Sequence, residues 1–389
     1  MRPDTRAVHV TAPPIAGSSP LSVPIYQTSA FVFDDLDVFA TGMTRPDAAY
    51  VYTRFANPTV RALEEAVADL EGGAAAIATS SGMGAINAYL HATLRAGDHV
   101  VAQRQLYGGT YAVLRELTER YGIAVSYVSG HDADEVRAAI GPRSRLLYLE
   151  TIANPTGHVS DLPALAAVAR EAGLRTVVDN TFASPMLCQP IRHGADVVIH
   201  SATKYLGGHS DVTGGIAVFA DEAHYREVWG HTVEFGVTAD PFAAWLTIRG
   251  LHTLPLRMRR HGDNAAILAR RLAAHPAVDA VHWAGLPAHP SHEVASRLLS
   301  GYGATFCFDL AGGNAAGRAF AEKVRLVRLA PSLGGTETLV LHPASTSHRQ
   351  LSADELSAAG IGAGTIRISV GIEDADDLWD DLNQALGTP

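Results

Sequence analysis

The sequence has few of the features that mark secreted or nucleic-acid-binding proteins. Only two cysteines occur in 389 residues, Cys188 and Cys307, so a disulfide framework is excluded and a reducing, cytoplasmic location is expected. Acidic residues outnumber basic ones by 40 to 30, for a net charge of −10. That balance argues against nucleic acid or an anionic membrane as the main partner.

Long apolar runs are also missing. No stretch approaches the roughly 18 uncharged apolar residues that suggest a membrane span, and the N-terminal segment lacks the apolar core of a signal peptide. No metal-ligand spacing such as HExxH occurs among the 18 histidines, so no metal site is expected. The chain is long enough for two domains with real cores.

Short apolar runs alternate with helical patterns through the first two thirds of the chain. Several of these runs are apolar at consecutive positions, which favours an α/β fold with a mostly parallel sheet covered by helices. Predicted strands cover 99–103, 123–129, 145–150, 175–180, 196–203 and 214–220, and predicted helices follow Pro58 and cover 111–122, 132–141 and 161–173.

The pattern also predicts a domain organisation. Residues 1–50 are rich in Pro, Ser and Thr and are expected to form an arm with little regular structure. Residues 51–245 carry the alternating pattern and are predicted to form the large domain. A long helical segment then leads into a second mixed region, so 246–389 is predicted to be a smaller C-terminal domain.

Polar residues follow three of the predicted strands. They are Asn154, the pair Asp179–Asn180, and the group Ser201, Thr203 and Lys204. Ligands of open α/β sheets bind beyond the carboxyl ends of the strands, so these side chains are candidates for one binding site.

Lys204 is the first lysine of the chain, in the segment SATKYLGGHSD. A lysine after a buried strand suits a Schiff base with an aldehyde cofactor, provided that its pKa is lowered. The glycine-bounded turn SSGMGA (80–85) suits a phosphate, and Asp179 could pair with the pyridine nitrogen of pyridoxal phosphate. Each feature alone also has a structural explanation: a surface lysine, a helix cap or a common turn.

Motifs along nearly the whole chain resemble the Cys/Met-metabolism (trans-sulfuration) family of pyridoxal-phosphate enzymes. The resemblance implies fold type I, the aspartate-aminotransferase-like α/β fold, with pyridoxal 5′-phosphate as cofactor. The motifs include PIYQTSAF (24–31), YTRFANPTVRALEEAVADLEGG (52–73), SSGMGAI (80–86), LYGGTY (106–111), ANPTG (153–157), VVDNTFASP (178–185), VIHSATKYLGGHSDVTGG (198–215), SLGGTETLVLHPAS (332–345) and IRISVGIED (366–374).

The resemblance implies a role for individual residues. Lys204 would hold the cofactor and move protons, with Asp179 on the pyridine nitrogen and Tyr107 stacked on the ring as a second catalytic residue. Arg367 would bind the substrate carboxylate, with Ser332 nearby. The remaining cofactor-binding residues would be Ser201, Thr203 and the amides of Gly82 and Met83 at the phosphate, Asn154 near the phenolic oxygen, and Tyr52 and Arg54.

The same resemblance implies self-association and a reaction class. Tyr52 and Arg54 would reach the phosphate of a neighbouring subunit, so an obligate dimer is expected, and family members commonly form a homotetramer; Tyr52 would also contact substrate. The expected chemistry is γ-elimination or γ-replacement on a sulfur-containing or homoserine-derived amino acid, through a vinylglycine-type intermediate.

Four positions bear on the substrate. Cystathionine enzymes of the family typically have an acidic residue before SLGG, where this chain has Pro331, and methionine γ-lyases typically have cysteine at Gly109. The usual SPFDAWL pattern is also changed, with Asp240 and Ala243 replacing Ser and Asp. These differences are either neutral drift or a pocket for an unusual nucleophile or leaving group.

Three functions remain open from the sequence. The first is a C–S γ-lyase acting on methionine, homocysteine or a related thioether. The second is a γ-synthase or sulfhydrylase that uses O-acetyl- or O-succinylhomoserine. The third is a cofactor-binding protein without catalysis, which the presence of Lys204, Asp179 and Arg367 disfavours.

Overall fold

A computed structural model describes residues 1–11, 18–45, 48–346 and 360–387, together with positions 349 and 356. Two compact units account for the fold. The first comprises Met1–Arg95 and Asp196–Pro255, and the second comprises Ala96–Ala195 and Leu256–Pro389. Within the described ranges, no helix is both long and apolar enough to cross a membrane.

Among the described elements three helices come first, and strands then alternate with α-helices up to residue 201. The strands are β1 Ala75–Thr79, β2 His99–Gln103, β3 Ala124–Val128, β4 Ser144–Glu150, β5 Arg175–Asp179, β6 Val197–Ser201, β7 Gly215–Phe219, β8 Val278–His282, β9 Thr305–Leu310, β10 Arg328–Leu329, β11 Leu339–Leu341 and β12 Thr365–Ser369. The α-helices are α1 Pro3–Val8, α2 Leu36–Thr44, α3 Pro58–Glu71, α4 Gly82–Thr93, α5 Gly108–Tyr121, α6 Ala133–Ala139, α7 Leu162–Glu171, α8 Ser184–Leu187, α9 Glu222–Phe235, α10 Pro241–Leu251, α11 Leu254–Ala273, α12 His292–Leu298, α13 Gly313–Lys323 and α14 Ala375–Leu386.

The first unit places three strands in the order β1–β7–β6, with β7 antiparallel to both neighbours. Helix α3 begins after Asn57, whose side chain accepts from the N–H groups of Thr59 and Val60, and ends at Gly72, which has a φ of 77°. The helix predicted after Pro58 is therefore confirmed. Its apolar face is buried at Val60, Leu63, Val67 and Leu70.

The second unit places four strands in the order β5–β4–β2–β3, and all of their pairs are parallel. Strand β4 is buried at every position except Arg145, as expected for a parallel strand covered on both faces. A second sheet in this unit has the order β10–β11–β12–β9–β8. Its core is apolar and includes Phe306, Phe308, Ile366 and Ile368.

The structure corrects the prediction for the N-terminal arm. Helices α1 and α2 lie within residues 1–50, where little regular structure was expected. Pro3 stands in the first turn of α1, and the Asp35 carboxylate accepts from the N–H groups of Asp37 and Val38 at the start of α2. These capping signals are local, and the Pro and Ser content of the segment concealed them.

Two further elements differ from the sequence prediction. Strand β1 was missed because AAIAT is rich in alanine, which has low strand propensity; tertiary pairing with β7 determines it. The long helical segment predicted in NAAILARRLAAHP (264–276) belongs to helix α11, which begins ten residues earlier, at Leu254, and ends at Ala273. The domain boundaries at residues 50 and 245 remain predictions.

A histidine cluster lies in the second unit. The rings of His131 and His158 have centroids 4.8 Å apart, and His158 Nδ1 lies 2.8 Å from the Ser291 hydroxyl. Burial lowers the pKa of His158 to about 4, and repulsion by His131 and His289 adds to the effect. Burial likewise lowers the pKa of His289 to about 4. The folded chain therefore favours neutral imidazoles here.

We expect the free energy of unfolding to fall as pH drops from about 6.5 toward 4, because the unfolded chain, with ordinary histidine pKa values near 6.5, binds protons first. Above that window both states hold neutral imidazoles and this effect vanishes. Each such histidine adds at most about 1.4 kcal/mol per pH unit to the slope of the free energy of unfolding against pH. Chemical denaturation at pH 7, 6 and 5 measures it.

The substitution His158→Gln should make this pH dependence shallower, because it removes one of the groups that must stay neutral. The same substitution at the exposed His9 measures the effect of replacing a histidine away from the cluster. Equal slopes for wild type and His158→Gln would contradict the assignment.

Candidate active site

The turn between β1 and α4 in the first unit is a candidate anion-binding cradle. Ser81 caps α4, since its hydroxyl accepts from the N–H group of Gly84 at 3.0 Å. The first N–H groups of a helix have no intrahelical acceptor and lie at the positive end of its dipole. The amides of Gly82 and Met83, which open this helix, therefore suit a phosphate dianion.

The cradle has no room for a side chain at Gly82. A Cβ at this position would lie 2.8 Å from Cβ and 3.0 Å from Oγ of Ser201, which ends β6. A Cβ at Gly215 would lie 2.1 Å from the carbonyl oxygen of Ser81. Glycine at these two positions therefore allows the helix start to approach the Ser201 hydroxyl closely.

Lys204 lies in a turn whose backbone is fixed from several sides. Its N–H donates to the carbonyl of Ser201 at 3.1 Å, and its own carbonyl accepts from Gly208 at 2.7 Å. The Thr203 hydroxyl accepts from the N–H group of Gly214 at 3.1 Å. Three of the predicted residues, Ser201, Thr203 and Lys204, are thus held within one turn after β6.

Two carboxyl groups lie side by side at the ends of parallel strands in the second unit. Glu150 of β4 pairs in register with Asp179 of β5. Asp179 Oδ1 accepts from the N–H group of Thr181 at 2.9 Å. Glu150 is buried, and burial, with the neighbouring Asp179 charge, raises its pKa well above the usual range.

Arg367, on β12, lies beside two other predicted residues. Its Nη2 donates to the carbonyl oxygen of Ser332 at 2.7 Å, and its Nη1 donates to Asn154 Oδ1 at 3.3 Å. Ser332 has a φ of 88°, which a serine rarely adopts. Backbone strain of this kind is concentrated at functional sites. The structure thus brings Arg367, Asn154 and Ser332 together, and Arg367 is mostly buried.

Three predicted aromatic and basic residues lie nearer the surface. Tyr107 precedes α5, and 45% of its side chain is exposed. Tyr52 is 42% exposed. Arg54 donates to the carbonyl of Val233 at 3.0 Å, and its guanidinium lies 4.9 Å from the ring centroid of Phe55.

The sequence reasoning missed Glu150 as a site residue. Its carboxylate accepts from the N–H groups of Tyr107 at 2.6 Å and Asn154 at 2.9 Å, both of which were predicted. The available signal was a carboxylate at the end of the otherwise apolar strand RLLYLE. Gln103 was also missed; its side-chain oxygen accepts from the N–H group of Glu150 at 2.9 Å.

These residues fit a phosphorylated aldehyde cofactor. They include the Gly82 cradle, which a Cβ would fill, and a lysine in a fixed turn. They also include a strand-end carboxylate, Asp179, and a buried arginine, Arg367. Groups of these kinds are used by α/β enzymes that bind a phosphorylated cofactor.

Comparison with known proteins identifies the family. Residues 4–387 match the model of the Cys/Met metabolism PLP-dependent enzymes, and the chain belongs to that family. It is therefore a lyase or transferase of the trans-sulfuration type, and pyridoxal phosphate is the family's cofactor.

Relatives in the family carry different activities. The chain is 43% identical over 385 residues to an L-methionine gamma-lyase of Porphyromonas gingivalis, covering 98% of this chain and 96% of the relative. It is equally 43% identical over 385 residues to a cystathionine gamma-synthase of Mycobacterium bovis, covering 99% and 97%. Among solved structures, cystathionine gamma synthase from Xanthomonas oryzae pv. oryzae, in complex with aminoacrylate and cysteine, has a TM-score of 0.93 at 41% identity, covering 99% and 98%.

The comparisons confirm the predicted family, the fold class and the cofactor. They also support the coarser function, a γ-elimination or γ-replacement enzyme of this family. The roles of individual residues and the particular reaction remain predictions.

We expect Gly82→Ala to weaken pyridoxal phosphate binding, because the added Cβ would overlap Ser201. Overpacking of this kind costs about 1–3 kcal/mol, which corresponds to roughly 5- to 150-fold in the dissociation constant. Titration of the apo protein with the cofactor, followed by absorbance, measures the change.

The matched control is Gly230→Ala in α9 of the same unit, where a Cβ meets nothing within 4 Å. Cofactor affinity should stay at the wild-type value, and replacing a helix-interior glycine should slightly stabilise the fold. Wild-type affinity in Gly82→Ala would show that the cradle does not hold the phosphate.

Proposed function

We propose that the first unit anchors the cofactor. Lys204 would bind pyridoxal phosphate through its ε-amine, and the hydroxyls of Ser201 and Thr203 with the amides of Gly82 and Met83 would bind the phosphate. The proposal is supported by the close approach of Gly82 to Ser201 and by the fixed turn around Lys204. Once the substrate amine has displaced it, Lys204 would carry protons between the substrate carbons.

Other predicted residues would orient the cofactor and the substrate. Asp179 would hold the proton on the pyridine nitrogen, and bound pyridoxal phosphate then supplies the electron sink of the reaction. Asn154 would lie near the phenolic oxygen, and Tyr107 would cover the ring and assist proton transfer. Arg367 would bind the substrate carboxylate with two parallel N–H bonds, next to Ser332.

We propose that the chain is a C–S γ-lyase. Its substrate would be an amino acid whose side chain is an uncharged thioether or thiol, such as methionine or homocysteine. The observation that carries this choice is Pro331. It directly precedes Ser332, whose carbonyl oxygen lies 2.7 Å from Arg367, so it is adjacent to the proposed carboxylate site. Proline offers no charge for a distal ammonium, so a substrate without that group is favoured.

A second candidate is a γ-synthase or sulfhydrylase that uses O-acetyl- or O-succinylhomoserine. It is supported by the 43% identity to a cystathionine gamma-synthase, equal to the identity with the methionine gamma-lyase. An unusual nucleophile would fall under this candidate. The aspartate at position 240 does not itself support an unusual nucleophile. Its carboxylate caps α10 by accepting from the N–H groups of Phe242 and Ala243, a role that serine also performs.

We also propose self-association. The N-terminal arm exposes the large apolar side chains of Leu21, Val32 and Leu36, which are typical of a surface covered by a partner. Tyr52 and Arg54 would then contribute to the phosphate site of a neighbouring subunit, with Tyr52 also near substrate. A dimer, and a tetramer of two such dimers, would follow.

Replacing Lys204 should abolish turnover, because the cofactor would lose its covalent anchor and the reaction its proton carrier. We expect Lys204→Ala to lose the visible absorbance of the anchored cofactor. Borohydride treatment of the wild-type holoenzyme, followed by peptide mass mapping, should place the added cofactor mass on the peptide that contains Lys204.

The chain offers a matched control in Lys323, its only other lysine, which is exposed at the end of α13. Lys323→Ala should keep the absorbance, the labelled peptide and the activity. Labelling at Lys323, or unchanged activity in Lys204→Ala, would refute the catalytic assignment.

The substrate proposal is tested with the reconstituted holoenzyme. We expect 2-oxobutyrate and ammonia to be released from either amino acid alone, with a thiol from methionine and hydrogen sulfide from homocysteine, because a γ-lyase needs no second amino-acid or thiol substrate. O-acetyl- and O-succinylhomoserine are then supplied with and without a thiol. A new thioether formed only when a thiol is present, with no release from methionine or homocysteine, would establish the synthase instead.

A further inference from the structure

Glu150 joins two segments that are distant in the sequence. Its Oε1 accepts from the N–H group of Tyr107 at 2.6 Å, and its Oε2 accepts from the N–H group of Asn154 at 2.9 Å. The first segment follows β2 and the second follows β4. One side chain therefore holds the backbone beyond the carboxyl ends of two neighbouring parallel strands.

The backbone of Glu150 is itself held in place by two side chains. The N–H group of Glu150 donates to Gln103 Oε1 at 2.9 Å, and its carbonyl accepts from the Ser160 hydroxyl at 2.9 Å. The Ser160 hydroxyl also lies 3.2 Å from the same Gln103 oxygen. All three residues are buried. A buried network of this kind favours one geometry, because moving Gln103 or Ser160 leaves a buried polar group of Glu150 without a partner.

The segments that Glu150 holds carry side chains of the proposed site. Tyr107 presents a half-exposed ring, and the Asn154 side chain accepts from Arg367 Nη1 at 3.3 Å. Arg367 in turn donates to the Ser332 carbonyl at 2.7 Å. Contacts thus run from Glu150 through the Asn154 backbone and side chain to the guanidinium that would bind the substrate carboxylate.

Glu150 is itself poorly placed to touch a substrate. Only 3% of the residue is exposed, and both oxygens already accept from backbone N–H groups. Its effect on the reaction must therefore pass through the groups that it holds. A displacement of about 1 Å in a positioning contact can cost on the order of 100-fold in rate.

We propose that Glu150 is a positioning residue, which holds the backbone of Tyr107 and Asn154 so that the tyrosine ring and Arg367 are in place before an amino-acid substrate binds. The roles of Tyr107 and Arg367 rest on the proposed function. The hydrogen bonds that Glu150 makes do not depend on those roles.

Two variants weaken these bonds in different ways. Glu150→Gln keeps the size but offers one oxygen and one NH2 group, so one backbone N–H loses its acceptor. Glu150→Asp keeps the carboxylate but is one methylene shorter, so it cannot reach both N–H groups at once. The second variant keeps a carboxylate at this position and serves as the test if the glutamine variant does not fold.

The first measurement uses the apo protein and needs no activity. Hydrogen exchange, read by mass spectrometry on peptides covering 104–110 and 151–157, should be faster in both variants than in wild type. The second uses the holoenzyme with the best wild-type substrate. We expect kcat/KM to fall about 10- to 100-fold, with a rise in KM from the displaced Arg367 and a fall in kcat from the displaced Tyr107.

Asn154→Ala separates the two routes. It keeps the backbone N–H that Glu150 holds but removes the oxygen that accepts from Arg367. It should therefore raise KM without changing hydrogen exchange in 104–110. In the double variant Glu150→Gln/Asn154→Ala, the fold increase in KM should be smaller than the product of the fold increases in the two single variants. Both substitutions act on the same arginine, so their effects are not independent.

The control is Asp381→Asn in α14, a second buried carboxylate that accepts from the N–H groups of Arg325, Leu326 and Val327. It should lower stability and speed exchange in 325–327, while kcat and KM stay within about twofold. This control measures how the loss of a buried carboxylate affects stability, exchange and kinetics when that carboxylate holds no residue of the proposed site.

The outcomes separate this inference from the proposed function. A wild-type enzyme that turns over no γ-substituted amino acid refutes the proposed function, and the exchange measurement still decides whether Glu150 holds the two segments. Normal exchange, kcat and KM in both folded Glu150 variants refute the positioning role. Uniformly faster exchange over the whole chain, with kcat and KM unchanged in the folded fraction, also refutes it, because the role would then be only structural.

Discussion

The parallel pairing of β2, β4 and β5 is the constraint on which the arrangement of Glu150 and Asp179 depends. Parallel strands end at the same edge, so Glu150 and Asp179 are brought side by side, in register, by backbone hydrogen bonds alone. Burial disfavours the charged form of Glu150 and raises its pKa, and repulsion by the neighbouring Asp179 carboxylate adds to the effect. The backbone N–H groups of Tyr107 and Asn154 compensate for part of that cost.

A different constraint shapes the first unit. The start of α4 lies so close to the end of β6 that Gly82 cannot carry a Cβ. The same contact brings the helix N-terminus, with its unpaired amides, next to the hydroxyl of Ser201. A dianion at this point would gain both the helix dipole and a hydroxyl donor. Packing requires glycine at this position, and the proposed anion site depends on the same close approach.

Much of the fold could be predicted from local patterns. The structure confirms the helix after Pro58, which has strong periodicity and clear caps. It also confirms the strands predicted at 99–103, 145–150 and 175–180, which are buried runs. Strand β1 could not be found this way, because its alanines carry little strand signal and its pairing partner, β7, is far along the chain. The arm was misjudged for the opposite reason, since local caps outweighed its composition.

The sequence by itself determined the family, the cofactor and the identity of the candidate residues, because motifs in order along the chain preserve residue types that chemistry requires. It did not reveal Glu150, because a carboxylate at a strand end is ambiguous until its hydrogen-bond partners are known. Only the tertiary structure decided that this side chain holds Tyr107 and Asn154, and that Asn154 contacts Arg367. Those contacts join positions up to 213 residues apart, and such long-range pairing depends on packing rather than on any local pattern.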